Sequence, residues 1–352
     1  MNVVANVYRG EKVESSHLGH IAVVNSEGTL LYSYGDPFRL TYARSSMKPM
    51  QTIPVIETGT ADRYQLEPAD LSLCCASHSG EPRHRSRAMS MLERAGQPEE
   101  VLQCGTHVPR DEESYKQLIR EGKPLTPIYS NCSGKHSGMI ATATHMGEDV
   151  ATYHLPEHPV QQRILDVVED MTGYPKEKIY MGTDGCGVPV HQLPLANYAW
   201  AFAKLAKPEV ISNPTRQQAV IRVTDAMTAH PEMVGGNNRY CTDLMTAFKG
   251  RIVGKAGAES VYCLGDRQTG LGIAVKIEDG GPRAINLVVN EVLRQLGIGI
   301  DGPLNDLAEY TNPAITNMSG TVVGRIEAAF TLSATEKSLR AKMASHSGAV
   351  YL

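Results

Sequence analysis

Two apolar runs near the start of the chain, His20-Ile21-Ala22-Val23-Val24-Asn25 and Thr29-Leu30-Leu31-Tyr32-Ser33-Tyr34, flank the polar triplet Ser26-Glu27-Gly28. This is a hairpin pattern, with Gly28 where a short turn needs positive φ. Apolar positions then recur at helical spacing over residues 83–95, 112–121, 136–145, 159–171, 193–205, 215–228 and 284–296, several of them opened by proline. Between the last two lie three strand-like runs, 251–255, 261–264 and 271–277. Strands at both ends with helices between them predict an α+β fold, an α/β sandwich in which an antiparallel sheet from the terminal segments receives an inserted helical region. No repeat or low-complexity linker divides the chain. Residues 1–332 therefore read as one domain with two lobes, and 333–352, polar and without period, as a disordered or appended tail, with a docked terminal strand the competing reading.

Composition narrows the partners. Thirty-four Lys and Arg against 38 Asp and Glu give a net charge of −4 over 352 residues. No basic run exists to displace counterions from nucleic acid or anionic lipid, so the expectation is a small-molecule partner, with no nucleic acid and no membrane. No apolar run approaches the roughly 18 residues of a membrane span, and the opening residues alternate like a strand rather than forming a leader, which predicts a cytoplasmic protein. Seven cysteines, an odd number, argue against a disulfide framework and for thiols that are buried or bind metal.

Several segments could carry chemistry. Ser45-x-x-Lys48 within Arg44-Ser45-Ser46-Met47-Lys48-Pro49 places a hydroxyl and an amine on one helical face, where a partly neutral amine can take the serine proton. A polar loop, Ala76-Ser77-His78-Ser79-Gly80-Glu81, offers a second hydroxyl, although Ser77 also suits an N-cap for the helix that follows. Lys255-Ala256-Gly257 lies late in the chain on a strand, the order in which penicillin-recognising enzymes arrange their Ser-x-x-Lys and Lys-Thr-Gly elements. Ser130-Asn131-Cys132-Ser133-Gly134-Lys135-His136 fails the phosphate-loop pattern, with Tyr129 and His136 at the decisive positions. Its Cys132 and His136, four apart, have ligand-like spacing instead. Thr183-Asp184-Gly185-Cys186-Gly187 supplies another thiol and a carboxylate, a set suited to tetrahedral zinc, with buried structural cysteines the competing reading. Gly235-Gly236 followed by Arg239 allows close approach of a small ligand and a fork for its carboxylate, as would an ordinary surface loop. His154 and His158 do not form a metal helix, because Pro156 stands between them.

Together, Arg44 to Pro49, Ala76 to Glu81, Asn131 to His136, Asp184 to Pro189, His230 to Gly236 and Lys255 to Glu259 resemble the class 3, rhizobial-type L-asparaginases, the asparaginase II family, in one order up to about Phe330. The resemblance implies a fold related to serine β-lactamases and penicillin-binding proteins, a homodimer, and hydrolysis of L-asparagine to L-aspartate and ammonia. It carries two catalytic pairs, Ser45 with Lys48 and Ser77 with Lys255. It also implies zinc at Cys132, Lys135 and Cys186, with Asp184 close by, so that lysine replaces the His136 favoured by spacing. Substrate would be held by Arg44 and Arg239 at its carboxylate and by Asn131, Asp184 and His136 near the metal loop. Attack by Ser45, with Lys48 as base, would give a β-aspartyl enzyme that water hydrolyses. Two other readings use the same residues: a penicillin-recognising amidase or peptidase, and a non-catalytic, zinc-stabilised amino-acid-binding protein.

Overall fold

A computed structural model describes residues 2–339. These form two compact units, one built from the chain up to Ser46, Leu193–Lys207 and the chain from Ala247, the other from Met47–Gln192 and Pro208–Thr246.

The first unit is an antiparallel sheet. Its strands run in the order Ala314–Thr316, Val322–Ala328, Val3–Arg9, Lys12–Val24, Leu271–Ile277, Val261–Asp266 and Ile252–Gly257. The expected hairpin is present, with Ile21 to Val24 paired to Thr29–Tyr34 and Gly28 at φ 87° in the turn. Segments from near both ends of the described residues thus share one sheet, as the sequence pattern predicts. Val261–Asp266 is buried at every position. Since alternate residues of a strand face opposite sides, both faces must be covered there. Helix Leu195–Ala206 covers one stretch at unusually short range: Gly265 and Gly272 are cross-strand partners, and a Cβ at Gly265 would stand 2.8 Å from Ala206 Cβ. A second helix, Ile285–Gln295, packs on Leu271–Ile277 and Val322–Ala328.

The tail differs from expectation. Ser333–Ser338 is a strand paired antiparallel with Thr29–Tyr34, with Ser333 opposite Ser33 and Ser338 opposite Thr29. An exposed strand edge supplied the backbone partners that local sequence could not reveal. The remainder of the proposed tail, 340–352, lies outside the described residues.

At the end of this sheet Asp266 is fully buried and holds Arg251 through two hydrogen bonds of 2.7 and 2.9 Å. Burial alone would raise its pKa, but Arg251, Thr269 and the Gln268 amide together hold it below the ordinary carboxylate value. The ionised form is therefore the one the fold favours. Its stabilisation is complete above the unfolded pKa of about 4 and disappears as pH falls through the lower folded value. Urea midpoints measured downward from about pH 5 should fall less steeply in Asp266→Asn than in the wild type.

The second unit is mainly helical. Pro68–Cys74, Pro82–Arg94, Pro159–Thr172 and Pro214–Ala229 all begin with proline at the first helical position, where no amide hydrogen is needed. Ser133–Met146 is buried from Ser133 to Ala143, and Lys48–Glu57 from Lys48 to Ile56. Helices without a solvated face must be central, and Pro68–Cys74, Pro82–Arg94, Pro159–Thr172 and Pro214–Ala229 pack around these two. Arg44–Met47 is a 3-10 turn and the α-helix begins only at Lys48, so the expected helical Ser45-x-x-Lys48 face is replaced by a junction. Pro49 and Pro54 obscured that helix in the sequence. Among the described residues no helix is long and apolar enough to cross a membrane.

Candidate active site

The site-forming residues of the helical unit converge because two helices approach closely. Gly134 and Gly138 lie on the side of Ser133–Met146 that faces Pro68–Cys74; a Cβ at Gly134 would stand 2.6 Å from Leu73 O, and one at Gly138 2.7 Å from Cys74 Sγ. This contact sets the helix start, with Cys132 as its N-cap, beside the loop that leaves Cys74.

That loop, 76–81, has no regular structure, yet its polar groups are accounted for. Ser77 N donates to Val234 O, His78 N to Asn131 O, and Ser79 O accepts from Asp111 N. His78 Nδ1 accepts from Gly80 N, so its Nε2–H donates to Ser133 Oγ at 2.9 Å. Burial and neighbouring His84 and Lys48 keep His78 well below its ordinary pKa, hence neutral. Ser77 is not an N-cap: Glu81 takes that position, in a reciprocal cap with His84.

Lys48 points into this loop. Only 1% exposed, its amine donates to Ala76 O, to Ser77 Oγ at 3.2 Å and to Cys132 Sγ at 3.1 Å. The buried amine thus finds three acceptors, which compensates its loss of water. Lys48 therefore contacts Ser77, a pairing that the two Ser/Lys pairs expected from sequence did not contain.

Cys132 and Cys186 form the adjoining centre. Each is 5% exposed, and Lys135 Nζ donates to Cys186 Sγ at 3.0 Å. A hydrogen bond from the Cys132 thiol, aided by the charge of Lys135, pulls Cys186 down to about 5 against the effect of burial; the same bond and burial push Cys132 up to about 12. Burial would lower Lys135, but the Cys186 and Cys132 sulfurs more than offset it, and its pKa stands above the ordinary lysine value. Both shifts favour a Cys186 thiolate facing a Lys135 ammonium. Asp184 Oδ2 lies 3.5 Å from Cys186 Sγ, and Asn131 Oδ1 3.1 Å from Cys132 Sγ. Among the described residues no disulfide forms, and all seven cysteines are buried.

His136 goes elsewhere. Adjacent positions on a helix do not face each other. While Lys135 meets the sulfurs, His136 is fully buried, accepts from Tyr153 OH at its Nδ1 at 2.5 Å, and has no partner for Nε2 among the described residues. Neither the ligand role that its spacing suggested nor a substrate contact is supported by this placement. Tyr153, whose oxygen also accepts from Gln103 N, went unnoticed in the sequence. Among the described residues no group of three His, Cys, Asp or Glu is arranged to hold a metal. The third potential donor at the cysteine pair is the Lys135 amine.

The remaining residues belong to the sheet unit. Lys255 is 1% exposed on Ile252–Gly257, its amine donating to Ala256 O at 2.6 Å, and its carbonyl accepts from Ser46 Oγ at 2.9 Å. A Cβ at Gly257 would stand 3.0 Å from Ser46 Oγ, so this strand runs tightly against the turn that carries Ser45. Ser45 is half-buried. Arg44 occupies the left-handed region at φ 50°, unfavourable for a residue with a Cβ. Arg239, in the helical unit, lines a cavity with Arg110, which nothing in the sequence marked.

The chain resembles two solved structures at low identity. It is 15% identical to a β-lactamase from Mycobacterium bovis, over 79% of this chain and 94% of that one, with a TM-score of 0.42. It is 15% identical to a D-alanine carboxypeptidase from Burkholderia cenocepacia, over 75% and 89%, with a TM-score of 0.36. Scores this low carry no argument about the site. No curated protein matches the chain. The model of the family described as L-asparaginase II matches residues 5–328, a span that includes both lysines, both serines and the cysteine centre. With that span matched throughout, the chain belongs to the L-asparaginase II family.

Proposed function

We propose that this protein hydrolyses the side-chain amide of L-asparagine to L-aspartate and ammonia, acting as a cytoplasmic homodimer. Membership of the family supports an amide hydrolase. The observation that carries the mechanism is the 3.2 Å contact between Lys48 Nζ and Ser77 Oγ. In its neutral form this amine accepts the Ser77 proton as the oxygen attacks the amide carbon. The C–N bond breaks, Lys48 returns the proton to the leaving nitrogen, and ammonia departs. Water then cleaves the β-aspartyl ester, its proton passing back to Ser77. Ser45, three residues before Lys48 in the chain, is the other candidate nucleophile, with Lys255 completing the set. Asn131 and Asp184 would hold the substrate ammonium.

Cys132, Lys135 and Cys186 fit zinc: two buried sulfurs share a proton and an amine nitrogen lies 3.0 Å from one of them, three donors of a tetrahedral set. When bound, zinc would supply a fixed positive charge beside the substrate. Lys135 must lose its proton to serve as a ligand, and Cys132 likewise. Either Cys132→Ala or Cys186→Ala should reduce zinc content, measured by plasma mass spectrometry, to below about a tenth of wild type, since a two-donor remnant holds the ion weakly.

Ammonia release from asparagine, glutamine and a peptide amide, with and without chelator, tests the function. Release from asparagine alone is expected. Failure of the zinc-loaded protein to release ammonia from asparagine would overturn the proposal. Comparison of Ser77→Ala with Ser45→Ala assigns the nucleophile: the variant that loses turnover carried it.

A further inference from the structure

Beside the Ser77 loop, within the helical unit, is a cavity of about 460 Å³ lined by Ser79, two arginines and four acidic residues. The acids are all engaged. Glu81 accepts from Arg83 and from Asn237 N, Asp111 caps Ser114 N, Glu112 pairs with Lys116 at 2.6 Å and Glu113 with Arg120 at 2.7 Å. The arginines are not. Among the described residues neither the Arg110 nor the Arg239 guanidinium makes a hydrogen bond or ion pair. They lie near enough to repel one another, and burial together with that repulsion lowers Arg110 from its ordinary pKa; Arg110 also feels the Cys132 sulfur. Two adjacent guanidinium groups without counterions, in a cavity whose carboxylates are spoken for, are arranged for an anion that arrives from outside.

We propose that Arg110 and Arg239 together form a carboxylate-binding site that recognises the α-carboxylate of the amide substrate and of its amino-acid product. The identification of this carboxylate with the substrate's rests on the proposed amide hydrolysis; the existence of the anion site does not. Geometry supports a fork-on-carboxylate contact. Each guanidinium can offer paired N–H donors, and the cavity is of the size that holds a small molecule. Ser79, at the cavity wall, is two residues from Ser77 and is fixed by its bond to Gly235 O, so the cavity adjoins the loop that carries the candidate nucleophile. Arg110 is a binding residue in this scheme and takes no part in bond making.

Two measurements test it. In steady-state kinetics, Arg110→Gln and Arg239→Gln should each raise KM for L-asparagine by about 30-fold with kcat changed by less than about threefold, the loss of one charge-assisted pair. KM for the methyl ester of asparagine, which has no carboxylate, should not change. An equal rise for the ester would mean a structural role and overturn the proposal. In calorimetry, wild-type protein should bind L-aspartate and the two variants should bind it at least tenfold more weakly, with Arg110→Lys between them. Unaltered melting temperatures would show that the variants fold. Failure of the wild type to bind aspartate, or equal binding by the variants, overturns the site whatever the turnover. Weakened aspartate binding in a protein that releases no ammonia from asparagine would instead uphold the site and sink the hydrolase reading.

Discussion

Lys48→Met is expected to lower kcat for asparagine hydrolysis by about 10³-fold, the range in which a positioned general base contributes, while the protein remains folded. Methionine matches the lysine stem in volume and removes an amine whose residue is only 1% exposed, so the cost of desolvating that polar group disappears with it. Ala76 O loses a donor, a penalty of about 1 kcal/mol that offsets part of this gain. A melting temperature close to wild type, together with the loss of turnover, would separate chemistry from packing. The limb of the pH–rate profile that reports the base should vanish in the residual activity. Wild-type turnover in Lys48→Met would remove lysine from the mechanism and leave the contact with Ser77 as packing alone.

Gly134→Val should destabilise the protein by about 3 kcal/mol, at the upper end of the usual cost of overpacking. The first atom of any side chain here meets Leu73 O at 2.6 Å and Leu73 Cγ at 2.5 Å. A flexible neighbour could move aside, but a backbone carbonyl on Pro68–Cys74 cannot yield without shifting that helix. Relief by separating the two helices would draw Cys132 and Lys135 away from the Ala76–Ser77 carbonyl and hydroxyl that Lys48 binds. Zinc content and turnover should therefore fall together with the urea midpoint. A folded, fully active Gly134→Val protein would show that the close approach is incidental to the site.

How much of this was legible beforehand varies with the range of the interaction. The hairpin at Gly28 and the helices that open with Pro82, Pro159 and Pro214 were readable because their signals lie within a few residues of the feature they specify. Lys48–Glu57 was not, because Pro54 inside it argues locally against a helix that tertiary burial stabilises nevertheless. Ser333–Ser338 looked like a tail because its partner strand, Thr29–Tyr34, lies some three hundred residues away.

The candidate site divides in the same way. The candidate segments were readable along the chain: hydroxyls, amines and thiols stand in polar, glycine-flanked loops, where residues of that type are seldom needed for packing, and their order carries the family resemblance. Which of them meet depends on the packing of the whole chain. Lys48 reaches Ser77 and Cys132 across 29 and 84 residues of chain. Lys135 rather than His136 faces the sulfurs because consecutive helical side chains diverge. Arg110 gained its meaning from Arg239, to which nothing local connects it. A one-dimensional pattern encodes side-chain type and periodicity, whereas distance between segments is set by the burial of Ser133–Met146 and Lys48–Glu57 at the centre of their unit, a property of the whole packed chain.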